Sequence, residues 1–394
     1  MNSRIKLLFI FCLLFVICFS LPALDLGLTL FQNAGLSDSG FRYSGSLVPR
    51  VSGLIGEDSD YYASAGLEVA YQDELSVIPE LLRTEFSYRS SALAVKAGRM
   101  YHSDPLGFIA SGLFDGARVS YDSSLGSFYA GAWYTGLLYK KRVNIEITDN
   151  DYANDYFAPN RMIAGLGWEH LSLGGMLSAS AAFLGQFDLS GVDALHSQYL
   201  AGKVAVPVNA LSHDLGGYFD LIQLGACFEL IEQSEKFGTG FAAELGVGFL
   251  PPISLNSRLS LLARYASGVN DGNAFAFLPV TTIGQGNILG AKLSGITMVS
   301  LDYTAQLNNT LSAGISSSYF IRNDKNTFNA YPLSGGSSDG FYLGNEFFAK
   351  LLWSPYSDIY ANLGMGIFLP AMGDAAPKAD SSWRVELNVI LLLY

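Results

Sequence analysis

Apolar and polar residues alternate with a period of two in one segment of this chain after another. In the run YYASAGLEVAYQ, Tyr61, Ala63, Ala65, Leu67, Val69 and Tyr71 share one face, and Tyr62, Ser64, Gly66, Glu68, Ala70 and Gln72 share the other. In LRTEFSYR, Leu82, Thr84, Phe86 and Tyr88 oppose Arg83, Glu85, Ser87 and Arg89. FAAELGVGFL and SRLSLLARY repeat the pattern, with Glu244, Arg258 and Arg264 on the polar side. A period of two is the signature of a strand with two different faces. No helical period runs for any length after the first two dozen residues.

The amino terminus supplies the second constraint. Arg4 and Lys6 precede an apolar stretch from Leu7 to Phe19, followed by small residues and Pro22. That is the layout of a secretory signal peptide covering residues 1–23, with cleavage after Ser20 or Ala23. The apolar core is short for a bilayer span, and Ile17 is too bulky for a lipoprotein box ending at Cys18. Of the three cysteines, Cys12 and Cys18 leave with the leader, so Cys227 has no internal partner. Charged residues make up only 15% of the chain, against the usual quarter. Residues 24–394 hold no apolar run long enough for a spanning helix. An exported, aromatic-rich chain of alternating segments fits a closed barrel, because in lipid only helices and closed barrels pair every backbone group internally.

Counting segments predicts an all-β, antiparallel, up-and-down transmembrane barrel of about eighteen strands, within the range of such barrels. The count takes Leu289 to Leu307 as one strand, because Leu289, Ala291, Leu293, Thr297, Val299, Leu301, Tyr303 and Ala305 keep one parity. Short connections near Gly56, Ser91, Ser124, Ser172, Asn209, Pro252, Asn308 and Pro355 alternate with longer ones, including Met100 to Gly112, Tyr139 to Asn160 and Gly268 to Asn287. Short turns at one end and long loops at the other are the membrane-barrel habit. A soluble β-sandwich has no reason to sort its loops in this way. No linker interrupts the chain, and a first strand from Leu24 leaves no room for an N-terminal plug. The ending RVELNVILLLY reads as the closing strand, with Trp383, Val385, Leu387 and Val389 outward and Arg384, Glu386 and Asn388 inward. Pairing it with the first strand removes the sheet edges.

The pattern resembles the outer-membrane porin superfamily of double-membraned bacteria. Locally, KAGRMYHSDPLGFIASGLFDGARVSYD (Lys96 to Asp122) is similar to a strand-loop-strand of alginate-export-like porins, with Gly98-Arg99 ending one strand and Asp115-Gly116 opening the next. Fatty-acid transporters are a poorer match, since their N-terminal hatch has no counterpart. A final aromatic, Tyr394, resembles the C-terminal signature that such barrels present to their assembly machinery. Leu392 and Ile390 fit that signature and Asn388 and Glu386 do not. The resemblance implies outer-membrane lipid around the barrel and small solutes within it.

Removing Arg4 and Lys6 from the 23 basic residues leaves 21 against 35 acidic ones. Sorted by parity, Arg42, Arg50, Arg83, Arg89, Arg118, Arg258, Arg264, Lys350 and Arg384 fall on the inner face with Glu68, Glu85, Glu244 and Glu346. Lys96, Arg161, Lys203 and Glu229 share that parity. The inner face comes out slightly basic and the connections strongly acidic. No basic residue falls on the apolar face at a strand centre, where it would cost about 2–4 kcal/mol in a bilayer. Eighteen strands enclose an aqueous channel, and rings of charge in such a bore select among solutes. The excess of Arg over Lys suits carboxylate or phosphate groups. The expected function is a passive channel for small hydrophilic solutes, anionic ones included. The alternative is a surface adhesin with the barrel as its anchor.

Enzyme chemistry is not expected. No HExxH or GxSxG motif occurs, and His102 beside Asp104 is the nearest approach to an acid-base pair. Asp149, Asp151 and Asp155 form a weak candidate for Ca²⁺, without the glycine and distal glutamate of an EF-hand. No cofactor is implied, and acidic connections disfavour nucleic acid.

Overall fold

The computed structural model describes residues 24–140, 145, 156–191, 194–207, 218–233, 236–252, 255–269, 275–325 and 340–394. The leader and the Asp149, Asp151 and Asp155 cluster lie outside these residues. Among them are eighteen strands: β1 (Leu24–Ser37), β2 (Gly40–Leu54), β3 (Ser59–Tyr71), β4 (Leu75–Arg89), β5 (Leu93–Ser103), β6 (Ser111–Ser123), β7 (Gly126–Tyr134), β8 (Arg161–Leu173), β9 (Leu177–Asp188), β10 (Leu195–Val206), β11 (Tyr218–Gln233), β12 (Lys236–Leu250), β13 (Arg258–Ala266), β14 (Ile296–Asn308), β15 (Leu311–Arg322), β16 (Tyr342–Tyr356), β17 (Ile359–Leu369) and β18 (Ser382–Leu393). Each pairs antiparallel with its neighbours in sequence, and β18 pairs with β1 from Leu28↔Leu393 to Ser37↔Arg384. The sheet is therefore a closed barrel, and the apolar C-terminal run closes it.

Two adjacent rows across the wall show why alternation dictates this fold. Leu166, Phe183, Leu200, Phe228 and Phe241 are register partners from β8 to β12. They are 59, 46, 62, 43 and 42% exposed. One residue along, Gly165, Leu184, Tyr199, Glu229 and Gly240 are partners too, and all five are buried. Pleating sends successive side chains to opposite faces, so one row meets the barrel's surroundings and the other its interior. The tally of the predicted connections holds as well: eight at one end, and nine at the other that include 104–110, 135–160, 267–295, 323–341 and 370–381.

Two local expectations are corrected. Leu289 to Leu307 is not one strand: β14 starts at Ile296. Leu289, Ala291 and Leu293 are buried because residues 275–295 pack inside the barrel, not because they continue a strand. Left-handed glycines at Gly290 and Gly295 turn the chain there, and a bridge between Gln285 and Ala291 folds it on itself. The turn makes no extra hairpin in the wall, so the count of eighteen stands. In β4, a bulge skips Leu82, since Ser64 pairs with Arg83 and Ala65 with Leu81. A bulge shifts parity by one. Leu81 is consequently exposed, whereas Leu82 lies against Gly66 on the inner side instead of sharing the outer face with Thr84.

The interior is partly filled. Ladder pairing of β5 with β4 stops at Thr84↔Arg99, and that of β6 with β7 stops at Asp115↔Tyr134. Beyond that row, β5 and β6 pair only with each other up to Ser103↔Ser111. This two-stranded ribbon carries the 104–110 loop across the bore, where Leu106 lies against Gly225 of β11. Phe108, Ile109 and Ala110 are buried there, with Phe277 and Val280 of the 267–295 loop. Thr281 N–H donates to Ile109 O at 3.0 Å, and Ser111 N–H donates to Thr281 Oγ1 at 2.9 Å, joining the two inward segments.

Candidate permeation path

The inner wall is built from residues of alternate parity, and its charges are paired. Glu85 accepts from Arg83 at 2.8 Å and from Lys96 at 2.7 Å. Glu244 accepts from Arg264 Nε at 2.7 Å and Gln223 Nε2 at 2.8 Å, with Lys203 Nζ at 3.9 Å. Arg258 Nε donates to Asp220 at 2.7 Å. Asp220 was not among the expected residues, because the bulge after Phe219 hides its parity. Arg384 and Glu386 are 4.0 Å apart, a weak pair. Cations also lie over rings: Arg118 over Tyr129 at 4.1 Å, Arg83 over Tyr62 at 4.7 Å and Arg50 over Tyr394 at 5.0 Å. Arg42, Arg89, Glu68 and Lys350 sit on strands with the expected parity. Lys350 lies along Gly314, where a β-carbon would meet its side chain.

The two signs are not equally accessible. The side chains of Arg83, Lys96 and Arg258 are 40, 43 and 41% exposed, whereas those of Glu85 and Glu244 are 4 and 3% exposed. Long basic side chains keep their charged ends in water while their stems pack. Glu85 and Glu244 sit beneath their basic partners, whereas Asp220, the partner of Arg258, is itself 26% exposed; around Glu85 the face turned to the bore is therefore more basic than its composition.

Two acidic residues of inner parity are committed elsewhere. Glu346 is fully buried and accepts the N–H groups of Asn287, Ile288 and Leu289 at 2.6, 2.9 and 3.0 Å. Glu229 accepts Leu278 N–H at 2.8 Å. Both hold the 267–295 loop against the wall, so Glu346 does not face an open bore as parity alone suggested. The connections that sequence offers for narrowing the bore are Met100 to Gly112 or Tyr139 to Asn160; residues 104–110 of the first fold inward, and so do residues 275–295, which were not among them. Asp104 organises the 104–110 turn by accepting from Leu106, Gly107, Ile109 and Ala110 at 2.8 to 3.0 Å. Burial raises its carboxyl above the ordinary value, against the pull of those four N–H groups.

The His102 and Asp104 pair suggested by sequence is not formed. His102 is the penultimate residue of β5, stacked on Trp133 with ring centres 4.0 Å apart, and its two nitrogens have no hydrogen-bond partner. Trp133 lies across Gly131 and Gly165, and Tyr129 across Gly167. Glycine at those positions is what lets large rings lie against the wall. Below the ribbon a cavity of about 320 Å³ is lined by Asp104, Arg118, Tyr129, Glu169, Ser180 and Lys203, among others. Among the described residues no group of three or more His, Cys, Asp or Glu could hold a metal ion.

No family model matches the chain, so the local likeness to alginate-export-like porins has no support from that side, and no curated protein matches it. Solved structures do. Pseudomonas aeruginosa OccK2 (OpdF), in complex with glucuronate, superposes with a TM-score of 0.64 at 12% identity over 94% of this chain and 98% of that one. Pseudomonas aeruginosa OpdK with vanillate gives 0.63 at 11% over 94% and 98%. The outer membrane protein OpdK from the same organism gives 0.61 at 10%, again over 94% and 98%. At such identities the likeness is one of fold: this chain is similar to these barrels from end to end.

Proposed function

We propose that this chain is an outer-membrane channel through which small hydrophilic solutes, carboxylates foremost, diffuse passively. The observation that carries the reading is the asymmetry around Glu85, whose carboxylate is buried while its partners Arg83 and Lys96 stay well exposed on the inner wall. A permeating anion meets Arg83 and Lys96 before it meets Glu85, and meets Arg258 beside a partly exposed Asp220. The cavity below the ribbon places Arg118, Lys203 and Ser180 as donors, with Asp104 and Glu169 on the same lining. That similar barrels were solved with glucuronate and with vanillate, both carboxylates, is consistent with this class. The exposed apolar rows are the lipid-facing surface in this reading. The leader is removed on export, and Tyr394 is presented to the assembly machinery.

Planar-bilayer recording tests the channel directly. Stepwise conductance is the expected result, and a folded but electrically silent barrel would favour the anchor reading. Substituting Arg83, Arg89, Arg258 and Arg264 together with glutamine should abolish the anion preference while the barrel still folds. The check is the reversal potential in a salt gradient, which should move toward the cation side. The acidic outer connections are screened within about 8 Å at physiological salt, so the anion preference of the unmodified protein should be strongest at high salt. A reversal potential indifferent to the four substitutions would remove these residues from the path.

A further inference from the structure

Arg99 and Asp115 depart from the apolar character of the outer face. They are register partners on the outer face, in one row with Thr84 and Tyr134. A cation on that face was not expected, and it is not left alone. Arg99 Nε and Nη2 donate to the two oxygens of Asp115, each at 2.8 Å. Nη2 also donates to Leu137 O at 3.0 Å, and Nη1 to Leu81 O. The four bonds therefore join β5 to β6, to β4 and to the segment after β7. They do so at the last row before the ribbon leaves the wall on both sides. There Leu81 O lies beyond the last β4–β5 ladder pair.

The flanking glycines belong to the same arrangement. Gly98 has φ +112°, and a β-carbon there would lie 2.0 Å from Thr84 O. A β-carbon at Gly116 would lie 2.1 Å from Ala132 O. Both positions need glycine, because the main chain bends inward against its neighbours at this row.

We propose that Gly98-Arg99 and Asp115-Gly116 form a hinge clamp. The glycines permit the ribbon to turn into the bore, and the ion pair, bonded to Leu81 O and Leu137 O, fixes where it lies. Arg99 and Asp115 are positioning residues: they are on the outer face, cannot touch a permeating solute, and act only through the ribbon and its 104–110 loop. The consequence for flux rests on the channel reading; the clamp itself does not.

The test is hydrogen exchange of the full-length barrel in detergent, comparing unmodified protein with Arg99→Gln and with the double variant Arg99→Met/Asp115→Leu. The double variant removes both charges, so no lone ion is left in an apolar wall and folding is preserved. Amides of residues 106–110 should exchange at least about tenfold faster in the double variant, while β15 and β16 keep their protection. Unchanged exchange at 106–110 in the folded double variant overturns the clamp, as does a uniform rise over the whole barrel. Bilayer recording then separates the two claims. A silent unmodified protein defeats the channel reading without touching the exchange result. In a conducting protein, the double variant should alter conductance and leave the reversal potential in place, unlike the inner arginine substitutions.

Discussion

Glu346→Ala should release residues 285–291 from the inner wall and enlarge the bore. The carboxylate is fully buried and accepts three consecutive main-chain N–H groups. Removing it strands those donors in a dry site, at roughly 1–3 kcal/mol for each unsatisfied group. Gly286 takes a left-handed conformation, and a β-carbon there would lie 2.7 Å from the same carboxylate, so the loop is seated closely on it. The loop therefore has more to gain from water in the bore than from the wall. Amide exchange at Asn287 to Leu289 should accelerate by orders of magnitude, and single-channel conductance should rise. Glu346→Gln keeps one acceptor oxygen and should show a smaller change of the same sign. Protected amides in a folded Glu346→Ala barrel would show that the loop is held by its apolar contacts instead.

Trp133→Ala should be the most damaging substitution of a single large side chain. Trp133 is buried against Gly131 and Gly165 and forms the stacking partner of His102. Deleting it leaves a hole that the glycines beneath cannot fill, a change that costs about 3–5 kcal/mol in well-packed interiors. His102, already without hydrogen-bond partners, then loses its principal contact as well. The folded species should be lost on heating at a clearly lower temperature, followed by its mobility on unboiled gels. An unshifted transition would mean that the ribbon carries no part of the barrel's stability.

The strand count and the two faces were legible because they are periodic. The Leu166 to Phe241 row and the buried row beside it follow from alternation that any window of ten residues displays. What escaped was aperiodic. Leu289, Ala291 and Leu293 imitate a strand because a loop packed inside a barrel buries apolar residues as a lipid-facing strand exposes them, and composition cannot tell these settings apart. Gly290 and Gly295 were the available signal. Leu82 changes sides at a bulge, and Asp220 is masked by another. Glu346 and Glu229 have the parity of a bore lining, yet their role depends on a loop more than fifty residues away from the first. The Gly98-Arg99 and Asp115-Gly116 stretch was visible as a motif, but its placement on the outer face required the register.

Cys227 gives the filled interior a chemical handle. It is the single thiol left once Cys12 and Cys18 are set aside, and it is buried on β11 in the same cluster as Leu106, Phe108 and Phe277. Alkylating reagents can reach it only when the ribbon or the 267–295 loop lifts from the wall. The labelling rate of the unaltered polypeptide is thus a clock for that opening, and needs no introduced probe. Solutes that wedge between the inward segments and the wall would quicken it, and solutes that bridge them would slow it.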